Sequence, residues 1–227
     1  DSLVLVAGIT TSDRMSLEAS AIATLTDLAG CSGKVDSMRP ERLAWLVIQA
    51  ELQVEARIVP DGPPPFRPIE AGADPTWGRG LEWLPEPDDG DVVLDFEGDP
   101  FWTTDSGLFF LFGLIARASD GVWTYEARWA HDRSGEDQAT GELIEYLKDR
   151  RASHPYMHAY HYNHTERSAL ERLAADHSVG EVALSEMVAT GFFVDLYPIV
   201  RNAIQAGTES YGLKEMERLT EYQRGHE

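Results

Sequence analysis

Apolar positions along the chain fall into two regimes, one on each side of a proline-rich stretch. In the first regime the spacing is helical. Leu43, Leu46, Val47, Ala50 and Val54 recur at three- and four-residue steps, which places them on one face of a helix predicted over 39–59. Pro40 falls in its first turn, where a missing N–H is tolerated. Trp45, Leu46 and Ile48 read as core or docking surface. Two shorter helices are predicted over 14–20 and 24–29. Gly8-Ile9-Thr10-Thr11-Ser12 offers a turn and caps before the first, and Gly30 stops the second. The second regime opens at Asp91 and alternates strands with helices. Strands are predicted over 92–96, 107–116 and 122–129, the last with the alternation of an edge strand. A helix over 136–151 turns Leu143, Ile144 and Leu147 inward. A strand over 156–162 and a helix over 166–176 follow, then a loop and a short helix to residue 189. The apolar run 192–194 ends at Asp195. Helices over 196–205, with Pro198 in the first turn, and over 211–222 complete the pattern.

Between the regimes lies a stretch that cannot be helical, rich in proline from Pro60 to Pro87. The expected organisation is a helical segment over 1–59, a linker over 60–90 and an α/β domain over 91–227. Trp77, Trp83 and Leu84 lie in the linker. Left in water they would be costly, so they are expected to pack onto a neighbour.

Composition narrows the function classes. The 227 residues allow one full domain with an appendage. The longest apolar run, 108–116, is interrupted by Gly113 and is too short to span a membrane. No membrane partner is expected. Cys31 is the sole cysteine, which excludes an intrachain disulfide and a cysteine-based zinc site and fits a cytoplasmic location. The chain opens in mid-pattern at Asp1 and reads as a fragment of a larger protein. A formal charge of −20 argues against a broad basic face for duplex DNA. An acidic site can still meet phosphate through metal ions. Neither a Gly-x-Ser-x-Gly nucleophile motif nor a P-loop occurs in the sequence.

The candidate chemistry centres on Asp91-Val92-Val93-Leu94-Asp95-Phe96-Glu97-Gly98-Asp99-Pro100. Alternate side chains of a strand share a face, so Asp95 and Glu97 point the same way. Two like charges on an apolar strand need compensation, most often by a divalent cation. Further acidic, amide and basic groups stand at predicted strand ends and helix starts: Asn163 and Glu166, Asp195, and Tyr211 with Lys214. Strand ends of an open sheet converge on one crevice, so these groups could meet. Two Mg²⁺ or Mn²⁺ ions roughly 3.5–4 Å apart could then activate a water and stabilise a leaving oxygen in phosphodiester hydrolysis. Asp195 suits metal ligation and helix N-capping equally. Asn163 suits a turn or a site lining. His158, His161 and His164 cannot all converge, because His161 faces opposite to His158. Asp99 reads as a turn residue.

Three consecutive strands followed by helix–strand–helix resemble the element order of a ribonuclease-H-like fold, a mixed sheet flanked by helices. Asp95-Phe96-Glu97 resembles the first motif of the DEDD exonuclease superfamily. The wider text is similar to RecB-like nuclease family proteins that carry a YprB-type ribonuclease-H-like domain. That text runs from Gly90 to Phe101, then through Phe109-Phe110-Leu111-Phe112-Gly113, Tyr160 to Glu166, Val194 to Tyr197 and Tyr211 to Glu217. The first residues resemble a helix-hairpin-helix segment, with Ala21 where a glycine is expected. The resemblance implies a metal-dependent, 3′–5′ exonuclease-like nuclease. Asp95, Glu97, Glu166 and Asp195 would be catalytic, and Asp95, Glu97 and Asp195 would hold a two-ion Mg²⁺ or Mn²⁺ site. Asn163, His161, Tyr211 and Lys214 would face substrate. The implied partners are single-stranded DNA or RNA and other domains of a larger nuclease–helicase polypeptide. Two departures stand out. Glu166 follows Asn163 by three residues where the family has an aspartate about four on, and no final Tyr or His with Asp is visible before Glu227. A catalytically degenerate binding or scaffolding module is the rival reading.

Overall fold

The computed structural model describes residues 1–58, 60–72, 78–104, 106–118, 120–220 and 222. The helical start of the chain holds α1 (Thr11–Ala19), α2 (Leu25–Ala29) and α3 (Pro40–Ala56), followed by a short strand, β1 (Phe66–Pro68). The sheet region holds β2 (Val92–Asp99), β3 (Leu108–Arg117), β4 (Trp123–Trp129), α4 (Arg133–Ser153), β5 (Ala159–His161), α5 (Thr165–His177), α6 (Glu181–Ala189) and β6 (Phe193–Asp195). The chain closes with α7 (Leu196–Ala203), β7 (Ile204–Ala206) and α8 (Leu213–Met216). By compactness it divides into two units, Asp1–Leu81 with Ile199–Glu227, and Glu82–Pro198. This division cuts the expected 60–90 linker after Leu81 and assigns 199–227 to the same unit as the N-terminal helices.

The second unit is the expected mixed sheet. Its strand order is β4-β3-β2-β5-β6, with β2, β3 and β4 antiparallel and β2, β5 and β6 parallel. Antiparallel neighbours need only hairpins, whereas the parallel steps need the α4 and α5–α6 crossovers. One face is apolar: Val92, Leu94, Phe96, Phe112 and Leu114 meet Leu143, Ile144 and Leu147 of α4 and Leu170 and Leu173 of α5. Each such side chain contributes about 1.5–3 kcal/mol when fully buried. Asp91 fastens the lower end of the parallel pair. Its carboxylate accepts the N–H groups of His158 at 2.8 Å and Asp88 at 2.9 Å. The Tyr160 hydroxyl also bonds to it; burial, then the Asp91 charge, pushes that phenol up to about 12.

In the first unit, Thr10 with Asp13 and Thr24 with Asp27 form reciprocal capping boxes that start α1 and α2. Ala21, between them, has φ 61°, the left-handed conformation for which a glycine was expected. Leu17, Leu25, Leu28, Leu43 and Leu46 form the core. β1 pairs antiparallel with β7, so part of the expected linker is a strand, and the helix expected to run to 205 ends at Ala203. The expected helix over 211–222 is much shorter, with Leu213–Met216 helical and Glu217–Leu219 a 3₁₀ turn. Tyr211 cannot join it because its ring is buried and its hydroxyl meets the Ala206 N–H at 3.1 Å and Gln49 Oε1 at 3.3 Å. Trp83 and Leu84 stay 40% and 41% exposed, contrary to the packing expected of them. Trp77 and Val59 lie outside the described residues. Among the described residues no helix is long and apolar enough to cross a membrane.

Candidate carboxylate site at the ends of the parallel strands

β2 supplies the first two carboxylates. Val92, Leu94 and Phe96 are its buried positions, so alternation turns Val93, Asp95 and Glu97 to the open face, as expected. An irregularity between Glu97 and Gly98, with the extra residue on β3, breaks the register of the two strands there. Asp99 then accepts the Phe101 N–H at 2.8 Å, the role of a turn residue.

Glu166 comes from the first turn of α5. β5 pairs with β2 only through Val92 and Val93, so the Phe96 N–H lies beyond the ladder. The Glu166 carboxylate accepts it, together with its own N–H. Glu166 is 6% exposed. Its Oε2 has no hydrogen-bond partner and lies 3.7 Å from His161 Nδ1. Burial, reinforced by the Asp95 and Asp195 charges, outweighs the two N–H bonds and pushes this carboxyl up to about 7.

His161 is buried at the end of β5, and its Nδ1 contacts the Asn163 carbonyl at 2.5 Å. A carbonyl only accepts, so Nδ1 carries the proton. Burial lowers the imidazole's pKa. The ring is therefore neutral near pH 7, and its approach to Glu166 is not an ion pair. Asn163 adopts φ 73°, which asparagine tolerates better than most residues. Its N–H donates to Asp195 Oδ1 at 2.8 Å, and its own Oδ1 accepts the His164 N–H at 2.9 Å. Asp195 Oδ1 also accepts the Tyr197 N–H at 2.9 Å, which caps the start of α7. One oxygen of Asp195 thus performs the capping that its position allowed; Oδ2 lies outside both bonds.

The ladder registers decide how these groups face. Val93 pairs with Tyr160, Tyr160 with Val194, and His161 with Asp195. By alternation Asp95 and Glu97 share the face of Tyr160, whereas Asp195 and His161 stand on the other. Glu166 reaches between them at the Phe96 N–H. Asp95, Glu166 and Asp195 therefore form one electrostatic neighbourhood. Among the described residues no three His, Cys, Asp or Glu side chains are grouped to hold a metal ion. In kind, the donors suit Mg²⁺ or Mn²⁺: they are hard oxygens, and one is buried with an orphaned atom whose ionisation a cation would restore. Tyr211 and Lys214 belong to the other unit, Tyr211 buried there and Lys214 exposed on α8. Two features had no signal in the sequence, the His161–Glu166 approach and the use of the Phe96 N–H. Both arise past the point where β2 and β5 stop pairing, which periodicity does not report.

The unit is thus a mixed sheet with acidic side chains near the ends of its parallel strands. Residues 92–227 match the family model of the RNase H superfamily, and the chain belongs to that superfamily. No curated protein and no solved structure matches the chain.

Proposed function

We propose that the Glu82–Pro198 unit is a metal-dependent phosphodiester hydrolase, 3′–5′ exonuclease-like, acting on single-stranded DNA or RNA. The RecB-like, YprB-type relationship suggested by the motifs belongs to this proposal. So do a cytoplasmic location and a place within a larger nuclease–helicase polypeptide. The observation that carries it is Glu166, a buried carboxyl with an orphaned oxygen beside Asp95 and Asp195. Such a cluster is costly without a cation and useful with one.

Asp95, Glu97 and Asp195, with Glu166, would hold Mg²⁺ or Mn²⁺. Bound there, the cation supplies Lewis acidity toward phosphoryl oxygens and the attacking water. The protein's own groups do the rest. The N–H groups of Asn163 and Tyr197 fix the Asp195 carboxylate. Neutral His161, held by the Asn163 carbonyl, keeps the Glu166 pocket free of a competing positive charge. With a pKa near 7, Glu166 can hold or release a proton at Oε2 near neutral pH. The test is cleavage of labelled single-stranded DNA and RNA with Mn²⁺ by the wild type and by the double variant Asp95→Ala, Glu97→Ala. Loss of at least a hundredfold in the variant is expected; equal rates would sink the reading.

A binding module with a degenerate site is the second reading. It draws on the spread of the carboxylates over both sheet faces and on the engagement of Asp195 Oδ1 by backbone amides. Calorimetry separates the two. Mn²⁺ binding abolished by Asp95→Ala belongs to the hydrolase, and no heat at millimolar Mn²⁺ belongs to the module.

A further inference from the structure

The open face of the sheet, on which Asp95 and Glu97 stand, carries aromatic side chains that the carboxylate site does not use. Register places them. Asp95 lies opposite Gly113, and Gly113 opposite Ala127. One row below on the same face run Val93, Ile115 and Tyr125; one row above run Glu97, Leu111 and Trp129. Small residues thus lead from β4 across β3 to Asp95, with an aromatic at the β4 end of each flanking row. Tyr125 and Trp129 are 61% and 58% exposed. β4 lies two strand spacings from β2, about 10 Å.

Both rings are held in place. A Cβ on Gly113 would come within 3.0 Å of the Tyr125 hydroxyl and 2.9 Å of the Asp95 carbonyl. The glycine lets the Tyr125 ring lie across β3 beside Asp95. Trp129 stacks on Phe110, with ring centres 6.4 Å apart and planes 16° from parallel. Phe110 is the extra residue of the β2–β3 bulge, since Glu97 pairs with Leu111 and Gly98 with Phe109. The irregularity beside Glu97 thus brings a ring against Trp129.

We propose that Tyr125 and Trp129 are base-stacking residues of this site and that the ligand they take is unpaired nucleic acid. The proposal rests on the reading of Asp95 and Glu97 as the centre of the site. Stacking suits a chain of charge −20, because attraction to a base face needs no positive charge and is indifferent to sequence. A base lying on β4 can direct its backbone across β3, past the Tyr125 ring, toward Asp95. Paired bases present no free face, so a duplex cannot bind this way.

The test is anisotropy with labelled oligothymidylate and an abasic oligomer of equal length, in EDTA so that no cleavage occurs. The wild type is expected to bind oligothymidylate about tenfold more tightly than the abasic strand. Trp129→Ala and Tyr125→Leu are each expected to lose about tenfold on oligothymidylate and nothing on the abasic strand. Leucine keeps Gly113 covered, and Trp129→Phe retains most of the affinity. Equal binding of the two oligomers by the wild type, no binding of either, or variants that bind like the wild type each overturn the proposal. So does a wild-type dimer that Trp129→Ala converts to monomer, since the face would then be a contact between copies. Base-dependent binding without Mn²⁺-dependent cleavage supports the stacking residues and removes only the hydrolase reading.

Discussion

Glu166 shows how far one residue's chemistry depends on its surroundings. In the sequence it is a displaced acid at the start of a helix; in the fold it is buried, bonded to the Phe96 N–H and close to two other carboxylates. Its folded pKa, about 7, lies above the ordinary 4.5. The native state therefore holds a proton that the unfolded chain releases. The stability this group contributes is complete below about pH 4.5 and is lost as pH rises through about 7, a change of up to about 3 kcal/mol. Melting in EDTA at about pH 5 and pH 8 should show a fall for the wild type and a flatter response for Glu166→Gln. Parallel pH profiles would show that Glu166 is not the titrating group. Ala21 is a second case. Its φ of 61° costs an L-residue about 1 kcal/mol. Ala21→Gly should stabilise the chain by up to about 1 kcal/mol in urea denaturation, offset in part by the added freedom of the unfolded glycine. An unchanged or lowered midpoint would show that the turn carries no such strain.

Elements were legible wherever one face is buried over several residues. The expected strands over 92–96, 107–116 and 122–129 correspond to β2, β3 and β4. Buried and exposed positions alternate along β2, β3 shows as a nearly continuous apolar run, and β4 keeps the sequence alternation although all but one of its positions is exposed. Short elements that owe their existence to a partner were not legible. β1 and β7, three residues each, exist through one another, and β5 is shorter than the strand expected over 156–162 because its pairing is confined to 159–161. The Asp91 clamp belongs at this scale. By binding the His158 and Asp88 N–H groups and the Tyr160 hydroxyl, it sets β5 against β2. That register in turn decides that Asp195 and His161 face away from Asp95. Asp91→Ala leaves buried donors unsatisfied and should cost about 2–4 kcal/mol in urea denaturation. A loss below about 1 kcal/mol would show the clamp to be dispensable.

At the scale of the whole molecule, the chain returns to its first unit after leaving its second. Gln49 of α3 donates to the Ala206 carbonyl at 2.7 Å, and the Tyr211 hydroxyl donates to Gln49 at 3.3 Å. A Cβ on Gly80 would meet the Ile199 carbonyl at 2.0 Å. Removing residues 199–227 should therefore expose α3 to limited proteolysis, although nothing near α3 in sequence has changed. Unchanged protection of α3 would show that the N-terminal segment folds without the C-terminal one.

The sequence by itself determined the mixed sheet, the order of its strands and helices, and the shared face of Asp95 and Glu97. The elements and the shared face follow from periodicity, which reports whether a side chain meets core or water; the mixed sheet follows from the resemblance of the element order to a ribonuclease-H-like fold. Only the tertiary structure decided that Glu166 would be buried beside Asp95 and Asp195, and that Asp195 would spend one oxygen on two amides. It also decided that Tyr211 would be buried in a different unit and that a glycine on β3 would let the Tyr125 ring lie across that strand. Those outcomes depend on which strands pair, in what register and where pairing stops. Long-range contacts settle all three, and a local pattern carries no record of them.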